Sequence, residues 1–314
     1  MDAGAVSTVR VPPSTPSVAT KRLTPDERAA FLADGYLAPL NVLDVAELRV
    51  YRGHLDAMLA ATGGRADVRL RNKPHLLFPW LATLVRDARV LDAVEDLLGP
   101  DLLVLRTTLF VEAARDPGHV TWHQDTAYWD LSEDAVVTAW VALTDSTTAN
   151  GCVRVVRGSH RDGPITHHLA RDRHNCLLRG QTAAVAVGKD RVAPLELRAG
   201  QMSLHHGRLL HDSPANPSDG LRAGLAVRYV SPRVRAGGPR QSATLVRGVD
   251  RFGHFDHEPA PRYDFDPIAR AWHARALRRY AVHVVWQIAR RPSRAHLALL
   301  VRLSARRDVL RALR

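Results

Sequence analysis

Six short apolar segments, separated by turn signals and not interleaved with helices, dominate the middle of this 314-residue chain. They are LVLRTTLFV (103–111), VVTAWVAL (136–143), CVRVV (152–156), VAPLEL (192–197), QMSLHH (201–206) and RAGLAVRYV (222–230). Turn-forming pairs such as Asn150-Gly151 and Ala199-Gly200 stand between them. Many short strands with this spacing favour an antiparallel sandwich or barrel over an α/β sheet. A jelly roll of this kind can hold a ligand at one open end.

Helical patterns precede this β-rich region. A first helix is predicted from the N-cap Thr24, with Glu27 as its capping-box partner and Gly35 as its stop. Two further helices are expected at about 45–62 and 83–98, the second ended by a Gly-Pro pair. The opening of the chain is therefore predicted to be helical over 23–100, before a jelly-roll core at about 101–232. Residues 1–22 lack periodicity and are expected to be a disordered leader.

A third region follows Pro232. The chain is predicted to be loop-like to about Pro267, where an amphipathic helix begins. Its apolar positions recur every three or four residues, at Ile268, Trp272, Ala276, Leu277, Tyr280, Ala281, Val284, Val285 and Ile288. Pro292 breaks this helix, and a shorter basic helix is expected after it. We therefore divide the chain into a leader, a domain at 23–267 and a helical tail at 268–314.

The charge of the chain is concentrated in that tail. The formal net charge is +12, and residues 268–314 contain twelve arginines against one acidic residue, Asp308, for a net of +11. The body is therefore nearly neutral, and nucleic-acid binding is not expected of it. We consider two hypotheses for the tail. Either it packs on the domain and exposes its arginines to solvent, or it docks to an acidic partner such as a carrier protein, an acyl-CoA or a membrane surface.

Composition also bounds the compartment. The sequence has no run of eighteen apolar residues and no secretory signal pattern, so neither a transmembrane helix nor secretion is expected. Its two cysteines, Cys152 and Cys176, cannot form a disulfide framework or a cysteine-based zinc site by themselves. A reducing cytoplasm fits best, and the oligomeric state is left open.

The stretch TWHQDTAYWDL (121–131) carries the first candidate site residues. If it is extended, His123 and Asp125 project from one face, because side chains alternate along a strand. A histidine and a carboxylate side by side are two thirds of the 2-His-1-carboxylate set that binds non-haem Fe(II). The stretch SLHHGRLLHDS offers three candidates for the third ligand: His205, His206 and His211.

Arg222 completes the constellation from the strand RAGLAVRYV. It shares a predicted face with Gly224 and Ala226, whose small side chains leave room beside the guanidinium. An inward-facing arginine needs an anion, and its planar fork suits a carboxylate. The alternative is a structural ion pair. Arg228 lies on the same face, where it meets substrate or forms an internal salt bridge.

These residues resemble a known family. The pattern WHQD, TAWVAL, NGCVRVVRGSHR and GRLLHDSPANPSDGLRAGLAVRY is similar to the phytanoyl-CoA dioxygenase family of Fe(II)/2-oxoglutarate oxygenases. The resemblance covers roughly 20–235 and includes KPHLLFPWL (73–81). It implies a double-stranded β-helix, a cupin-like jelly roll, flanked by N-terminal helices. It also singles out His211 as the third ligand, because only this histidine has the family's spacing to Arg222 and a serine two residues on.

The resemblance implies a role for each site residue. Iron would be bound by His123, Asp125 and His211, while Arg222 and Ser213 would bind the distal carboxylate of 2-oxoglutarate. The same pocket would be lined by Gln124 and Trp140. Candidates for the substrate wall, weighed against simple packing, are His75, Tyr128 and Trp129, with Arg228 as a further one. Two positions depart from the family habit: Arg157 replaces a common proline, and Glu112 a common lysine.

The implied activity uses Fe(II), 2-oxoglutarate and O2 to oxidise an unactivated C–H bond of a small molecule, free or tethered to a carrier protein or CoA. The retained carboxylate Asp125 predicts hydroxylation, epimerisation, desaturation or ring formation rather than halogenation, because related halogenases have a small residue there. Composition and family habit favour bacterial secondary metabolism. The alternative hypothesis is a non-catalytic jelly-roll binding protein whose basic tail contacts nucleic acid or an acidic partner.

Overall fold

The computed structural model describes residues 22–64, 66–169, 172–177 and 181–290. In chain order its helices and strands are α1 (Pro25–Asp34), β1 (Tyr36–Asn41), α2 (Val45–Ala61), α3 (Val68–Arg71), α4 (Pro79–Leu84), α5 (Ala88–Leu98), β2 (Leu102–Glu112), β3 (Val120–His123), β4 (Val136–Ala142), β5 (Arg154–Val156), β6 (His167–Leu169), β7 (Gln181–Ala183), β8 (Val192–Pro194), β9 (Gln201–His206), β10 (His211–Ser213), β11 (Arg222–Val230), β12 (Ser242–Arg247), β13 (Asp256–His257) and α6 (Pro267–Arg290).

Two facing sheets form the core. The large sheet has the order β1-β9-β4-β11-β2-β12-β13, and the small sheet has the order β3-β10-β5-β8. Strands β6 and β7 form a separate pair. Every pairing in the large sheet is antiparallel except that of β12 with β13. The predicted mainly-β jelly roll with flanking helices is confirmed, and its sheets stay open rather than closing into a barrel.

Strand β4 shows how the sequence separates the two faces of the large sheet. Val137, Ala139 and Val141 belong to a buried cluster that includes side chains of α2, α4 and α5. Trp140 and Ala142 belong to a second cluster, which lies between the two sheets. Because side chains alternate along a strand, one apolar run packs against the helices with one face and lines the space between the two sheets with the other.

The predicted helices are largely confirmed at the N-terminus. Thr24 and Glu27 form the expected capping box, with Glu27 N 3.2 Å from Thr24 Oγ1 and Thr24 N 2.8 Å from Glu27 Oε2. The helix predicted at about 83–98 is confirmed as α5, which ends before Gly99 as expected but begins at Ala88, and the separate helix α4 precedes it. Asp87 caps α5 by accepting a hydrogen bond from Arg89 N at 2.9 Å.

Six strands were not predicted, namely β1, β6, β7, β10, β12 and β13. β1 lies within residues 23–100, which we expected to be entirely helical. It pairs with β9, and Tyr36 lies opposite His205. β12 and β13 lie in the region that we expected to be loop. β12 extends the large sheet by pairing with β2, with Thr244 opposite Val104. β1 and β12 are stabilised by partners distant in the sequence, which a local pattern does not reveal.

The predicted helix from about 268 is confirmed as α6, but part of its predicted apolar face is wrong. Ile268 is 59% exposed and Val285 is 46% exposed. The side chains that α6 buries are Ala269, His273, Ala276, His283 and Val284. Tyr280 stacks under the guanidinium of Arg106, with 3.9 Å between Cζ and the ring centroid. The predicted second basic helix, and the leader up to residue 21, lie outside the described residues.

Two further expectations concern cysteine and the membrane. Cys152 is buried, Cys176 is partly buried, and both are free thiols. Within the described ranges, no helix has both the length and the apolar character to cross a bilayer.

A buried polar network joins the segment between α3 and α4 to β12 and to the residue that follows β13. Lys73 is ion-paired with Glu258, and its Nζ donates to Ser242 O at 2.9 Å. Glu258 also accepts hydrogen bonds from the hydroxyls of Ser242 and Thr244. Burial would raise the pKa of Glu258, but Lys73 and His75 lower it to about 2. The acid is therefore ionised and fully paired.

His75 makes this network sensitive to acid. Its ring nitrogens lie 2.7 Å from Thr107 Oγ1 and 3.0 Å from Thr244 Oγ1, and burial lowers its pKa to about 4 from 6.5. Between these two pH values the unfolded chain binds a proton at His75 and the folded chain does not. The free energy of unfolding therefore falls as the pH drops from 6.5 to 4.

We expect His75→Gln to reduce this loss, because glutamine can still bond both threonines but does not titrate. Urea unfolding at pH 7.5 and pH 5 measures it, and the wild type is expected to lose on the order of 2 kcal/mol more than the variant. The control is His168→Gln, at an exposed histidine, which should behave like the wild type. If His75→Gln and the wild type lost the same free energy of unfolding between pH 7.5 and pH 5, His75 would not be the group responsible.

Candidate metal centre

The small sheet brings the three predicted iron ligands together. His123 ends β3 and His211 begins β10, and the two residues lie opposite each other in the antiparallel pair. Ligand atoms of His123, Asp125 and His211 lie within 4.8 Å of one another, and all three side chains are buried. Two imidazoles and one carboxylate at this spacing fit Fe(II), and they would leave coordination positions free for other ligands.

Asp125 reaches this cluster from a turn rather than from the strand. β3 ends at His123, and a short 3-10 helix begins at Asp125, so the condition that the segment is extended does not hold. Gln124 lies between the end of β3 and this 3-10 helix, and hydrogen bonds hold its side chain in place. Its amide donates to the carbonyls of Gly163 and Arg208 at 3.0 and 2.8 Å and accepts from Ile165 N at 2.8 Å. These bonds give Gln124 a structural position instead of one lining the Arg222 pocket.

Backbone carbonyls orient both histidine ligands. His123 Nδ1 lies 2.9 Å from Thr121 O, and His211 Nδ1 lies 2.9 Å from Leu209 O. A carbonyl can only accept, so Nδ1 carries the hydrogen and the lone pair lies on Nε2. Burial also lowers the pKa of His211 well below 6.5. The imidazole is therefore neutral and has Nε2 available for a metal.

Two side chains of the large sheet hold the carboxylate of Asp125. Thr138 Oγ1 donates to Oδ2 at 2.7 Å, and Arg228 donates to the two oxygens at 3.2 and 3.3 Å. Burial opposes ionisation, but Arg228 and the neighbouring imidazoles hold the pKa of Asp125 well below its usual range. The ligand is thus charged and fixed before any metal binds. Arg228 forms the internal salt bridge that was one of its two predicted roles.

The two rival histidines differ in position. His205 is 2% exposed, with its Nε2 3.9 Å from Asp125 Oδ2 and its ring centroid 4.6 Å from that of His211. Neither of its ring nitrogens has a hydrogen-bond partner among the described residues. His206 is on the opposite face of β9 and packs near Phe31 and His160. His205 is therefore a neighbour of the metal cluster, and His206 is not.

Arg222 lies buried behind the cluster and already binds a carboxylate. Its Nε donates to Glu112 Oε2 at 3.0 Å, its Nη2 bonds the same oxygen, and Nη2 also donates to Ser213 Oγ at 2.6 Å. Arg222 and Glu112 are 3% and 4% exposed. Arg222 and Ser213 together can thus hold a carboxylate, and Glu112 shows it by supplying one. The predicted free space beside Gly224 is taken by Trp140, because a Cβ there would lie 2.4 Å from the indole.

A cavity of about 30 Å³ separates this ion pair from the metal cluster. Its wall includes Trp140, Arg222, Ser213 and the ligands His123 and His211. Two buried groups of the wall carry polar atoms without partners among the described residues, namely Glu112 Oε1 and the ring nitrogens of His205. Unsatisfied atoms beside a polar cavity indicate a place for a polar ligand. The chemistry of the wall fits a dicarboxylate, but the present space does not hold one.

A second cavity, of about 100 Å³, opens on the other side of His123 and Asp125. Trp129 and Arg228, two of the predicted substrate residues, line it. Further lining residues are Arg71, Asn72, Arg106, Thr108, Phe110, Cys176, Leu177 and Tyr280. His75 lies instead in the buried network with Glu258, and the side chain of Tyr128 lies outside the described part of the structure. The cavity therefore combines an aromatic wall with three arginines.

Some residues of the site were missed by sequence reasoning. Thr138 stands two residues before Trp140 on β4, so alternation could have placed it on the same inward face. Arg106 and Arg71 had no comparable signal, because neither lies in a recognised motif. Glu112 was visible only as a departure from the family habit.

Comparisons with known proteins agree with this geometry. A family model described as phytanoyl-CoA dioxygenase (PhyH) matches residues 31–224, more than half of the chain. The probable alpha-ketoglutarate-dependent hypophosphite dioxygenase of Stutzerimonas stutzeri is 26% identical over 175 residues, which are 52% of this chain and 57% of that protein. The chain thus spans little more than half the length of this relative.

Solved structures cover more of the chain. The apo structure of the non-heme monooxygenase ThoJ is 35% identical, with a TM-score of 0.75, and the match covers 85% of this chain and 100% of that one. The non-heme alpha-ketoglutarate-dependent carbocyclase SnoK, from nogalamycin biosynthesis, is 25% identical with a TM-score of 0.54, covering 74% and 90%. The chain therefore belongs to the phytanoyl-CoA dioxygenase family of non-haem iron, 2-oxoglutarate-dependent dioxygenases.

Proposed function

We propose that this protein uses Fe(II), 2-oxoglutarate and O2 to oxidise an unactivated C–H bond of a small molecule. The observation that carries the proposal is the buried cluster of His123, Asp125 and His211 with Arg222 and Ser213 behind it. The cluster would hold iron, and the arginine with the serine would hold the distal carboxylate of the cosubstrate. When bound, iron and 2-oxoglutarate supply the oxidant, and the cosubstrate leaves as succinate and CO2.

The residues around the cluster position and protect it. Thr138 and Arg228 hold Asp125, and backbone carbonyls fix the two imidazoles, so the ligands need little reorganisation on binding. Trp140 closes the cosubstrate side as an apolar wall, because it is only 4% exposed. With Asp125 retained as a ligand, we propose hydroxylation, epimerisation, desaturation or ring formation rather than halogenation.

The cationic cavity beside His123 and Asp125 supports a substrate that carries an acidic group. Asp125 is the one carboxylate among the described residues that line it, and Arg228 already pairs with it. Arg106 is 9% exposed, and its contacts are Asn72 Oδ1 at 2.6 Å and the Tyr280 ring. Neither Arg106 nor Arg71 forms an ion pair with a described carboxylate. The buried guanidinium of Arg106 and the partly buried one of Arg71 lack an anion, which favours an anionic ligand.

The cellular setting is part of the proposal. The match to SnoK, an enzyme of nogalamycin biosynthesis, supports a place in bacterial secondary metabolism. The free thiols of Cys152 and Cys176 support a reducing cytoplasm. We propose a substrate that is either free or tethered to a carrier protein or CoA. The alternative is a non-catalytic binding protein, which would form no complex with Fe(II) and 2-oxoglutarate.

Removal of either histidine ligand tests the metal site. We expect His123→Ala and His211→Ala each to weaken anaerobic Fe(II) binding by at least about 100-fold, because losing a ligand exceeds the effect of losing its support. His205→Ala is the matched control at a buried neighbouring histidine and should bind Fe(II) within a few-fold of wild type. Equilibrium dialysis with metal analysis gives the affinities. Loss of binding in His205→Ala together with retention in His211→Ala would reverse the ligand assignment.

Substitution of Arg222 tests the cosubstrate site separately from the metal. Anaerobic wild-type protein with Fe(II) and 2-oxoglutarate is expected to show a weak visible charge-transfer band. Arg222→Gln should keep Fe(II) binding and weaken 2-oxoglutarate binding by roughly 100-fold, since a buried charged contact is lost. The control is Arg233→Gln, which removes a surface pair with Glu133. No band in the wild type and no succinate with any substrate would favour the non-catalytic alternative.

A panel of carboxylic acids and their primary amides tests the substrate class. Acids should stimulate succinate release from 2-oxoglutarate more than their amides, because only the acids can pair with Arg106 and Arg71. In Arg106→Gln this preference should shrink or vanish. Amides that stimulate as well as their acids would contradict the anionic substrate.

A further inference from the structure

The ion pair between Glu112 and Arg222 stands where the proposed cosubstrate would bind. Glu112 ends β2 and Arg222 begins β11, and the two residues are direct antiparallel partners. Their side chains therefore leave the sheet on one face, and both reach the cavity behind the metal cluster. The anion that a buried arginine needs is supplied here by the chain itself.

This ion pair is incompletely satisfied. The two hydrogen bonds that Arg222 donates to Glu112 both go to Oε2, and Glu112 Oε1 has no partner in the described part of the chain. A free dicarboxylate could use both of its oxygens on Arg222 and Ser213. A ligand that satisfies more donors and acceptors than the resident side chain can replace it.

The available space makes the replacement necessary. The cavity has about 30 Å³, and one water needs about 10–15 Å³ of such volume, so two or three waters would fill it. 2-Oxoglutarate has ten non-hydrogen atoms and cannot enter beside the present Glu112 side chain. Because Glu112 lines this cavity, its movement would enlarge the cavity and free the guanidinium at the same time.

A second cation lies within electrostatic reach of Glu112. After Arg222, Arg71 is the other cation that acts on this carboxylate. The Arg71 guanidinium lies over the ring of Phe110, 5.5 Å from its centroid. Phe110 precedes Glu112 by two residues and so points to the same face of β2. A displaced Glu112 thus has a partner at the edge of the neighbouring cavity.

We propose that Glu112 is a built-in competitor for Arg222, and that 2-oxoglutarate binds only by displacing Glu112 toward Arg71. The inference rests on the proposed function, in that it takes Arg222 as the cosubstrate site. Glu112 is then a specificity-determining residue. It fills the carboxylate site in the absence of cosubstrate and weakens the binding of any dicarboxylate that satisfies Arg222 less well than 2-oxoglutarate does.

Direct binding measurements test the competition. Anaerobic Fe(II)-loaded protein is titrated with 2-oxoglutarate, followed by the visible band and by calorimetry. Glu112→Gln removes the competing charge at nearly constant volume, and we expect 2-oxoglutarate to bind at least fivefold more tightly than in wild type. Glu196→Gln, at an exposed glutamate two residues after the edge strand β8, is the control and should bind like the wild type.

A metal-free measurement separates the inference from the proposed function. Glutarate has the two carboxylates of 2-oxoglutarate but lacks its keto group, so its binding does not need iron. In thermal-shift experiments glutarate should stabilise metal-free Glu112→Gln more than the wild type. If the glutamine variant does not fold, Glu112→Ala offers the same comparison. Stabilisation of the variant and the wild type to the same extent would overturn the proposal.

The role of Arg71 is tested by a double-mutant cycle. Arg71→Gln should weaken 2-oxoglutarate binding several-fold in the wild-type background and have no effect in the Glu112→Gln background. Equal effects in both backgrounds would remove Arg71 from the proposal.

The possible failures remain distinguishable. Equal 2-oxoglutarate affinity in wild type and Glu112→Gln would refute the competition while leaving the oxygenase function intact. Failure of every variant and of the wild type to bind 2-oxoglutarate would refute the function itself.

Discussion

The interior of this protein depends on how two arginines of one strand are neutralised. Arg222 begins β11 and Arg228 lies two residues before its end, and both face the space between the sheets. Removing one partner of a buried ion pair typically costs about 3–5 kcal/mol, so each arginine requires an anion at a fixed place. Asp125 meets Arg228, and Glu112 meets Arg222.

The two pairs have different consequences. The pair with Arg228 keeps the carboxylate of Asp125 charged and oriented, as a metal ligand would need to be. The pair with Arg222 fills the proposed 2-oxoglutarate site, and in our proposal it yields only to another carboxylate. One strand thereby couples the proposed iron site to the proposed 2-oxoglutarate site. Between its ends, Gly224 and Ala226 are small enough for Trp140 to fill the gap.

Much of this arrangement could be predicted from sequence, and the rest depended on long-range contacts. β9 and β11 had the predicted bounds because alternation and turn signals are local. β12 escaped prediction because its pairing with β2 joins segments far apart in the chain. His123, Asp125 and His211 were predictable from residue type and spacing. The partner of Arg222 was not, because Glu112 lies 110 residues away and only the register of β2 on β11 brings them together.

The most direct test of the central claim is an anaerobic crystal structure with Fe(II) and 2-oxoglutarate bound. It should show iron held by Nε2 of His123 and His211 and by an oxygen of Asp125. The distal carboxylate should lie on Arg222 and Ser213, with Glu112 turned away. Iron bound through His205, or 2-oxoglutarate bound elsewhere while Glu112 still pairs with Arg222, would contradict the claim.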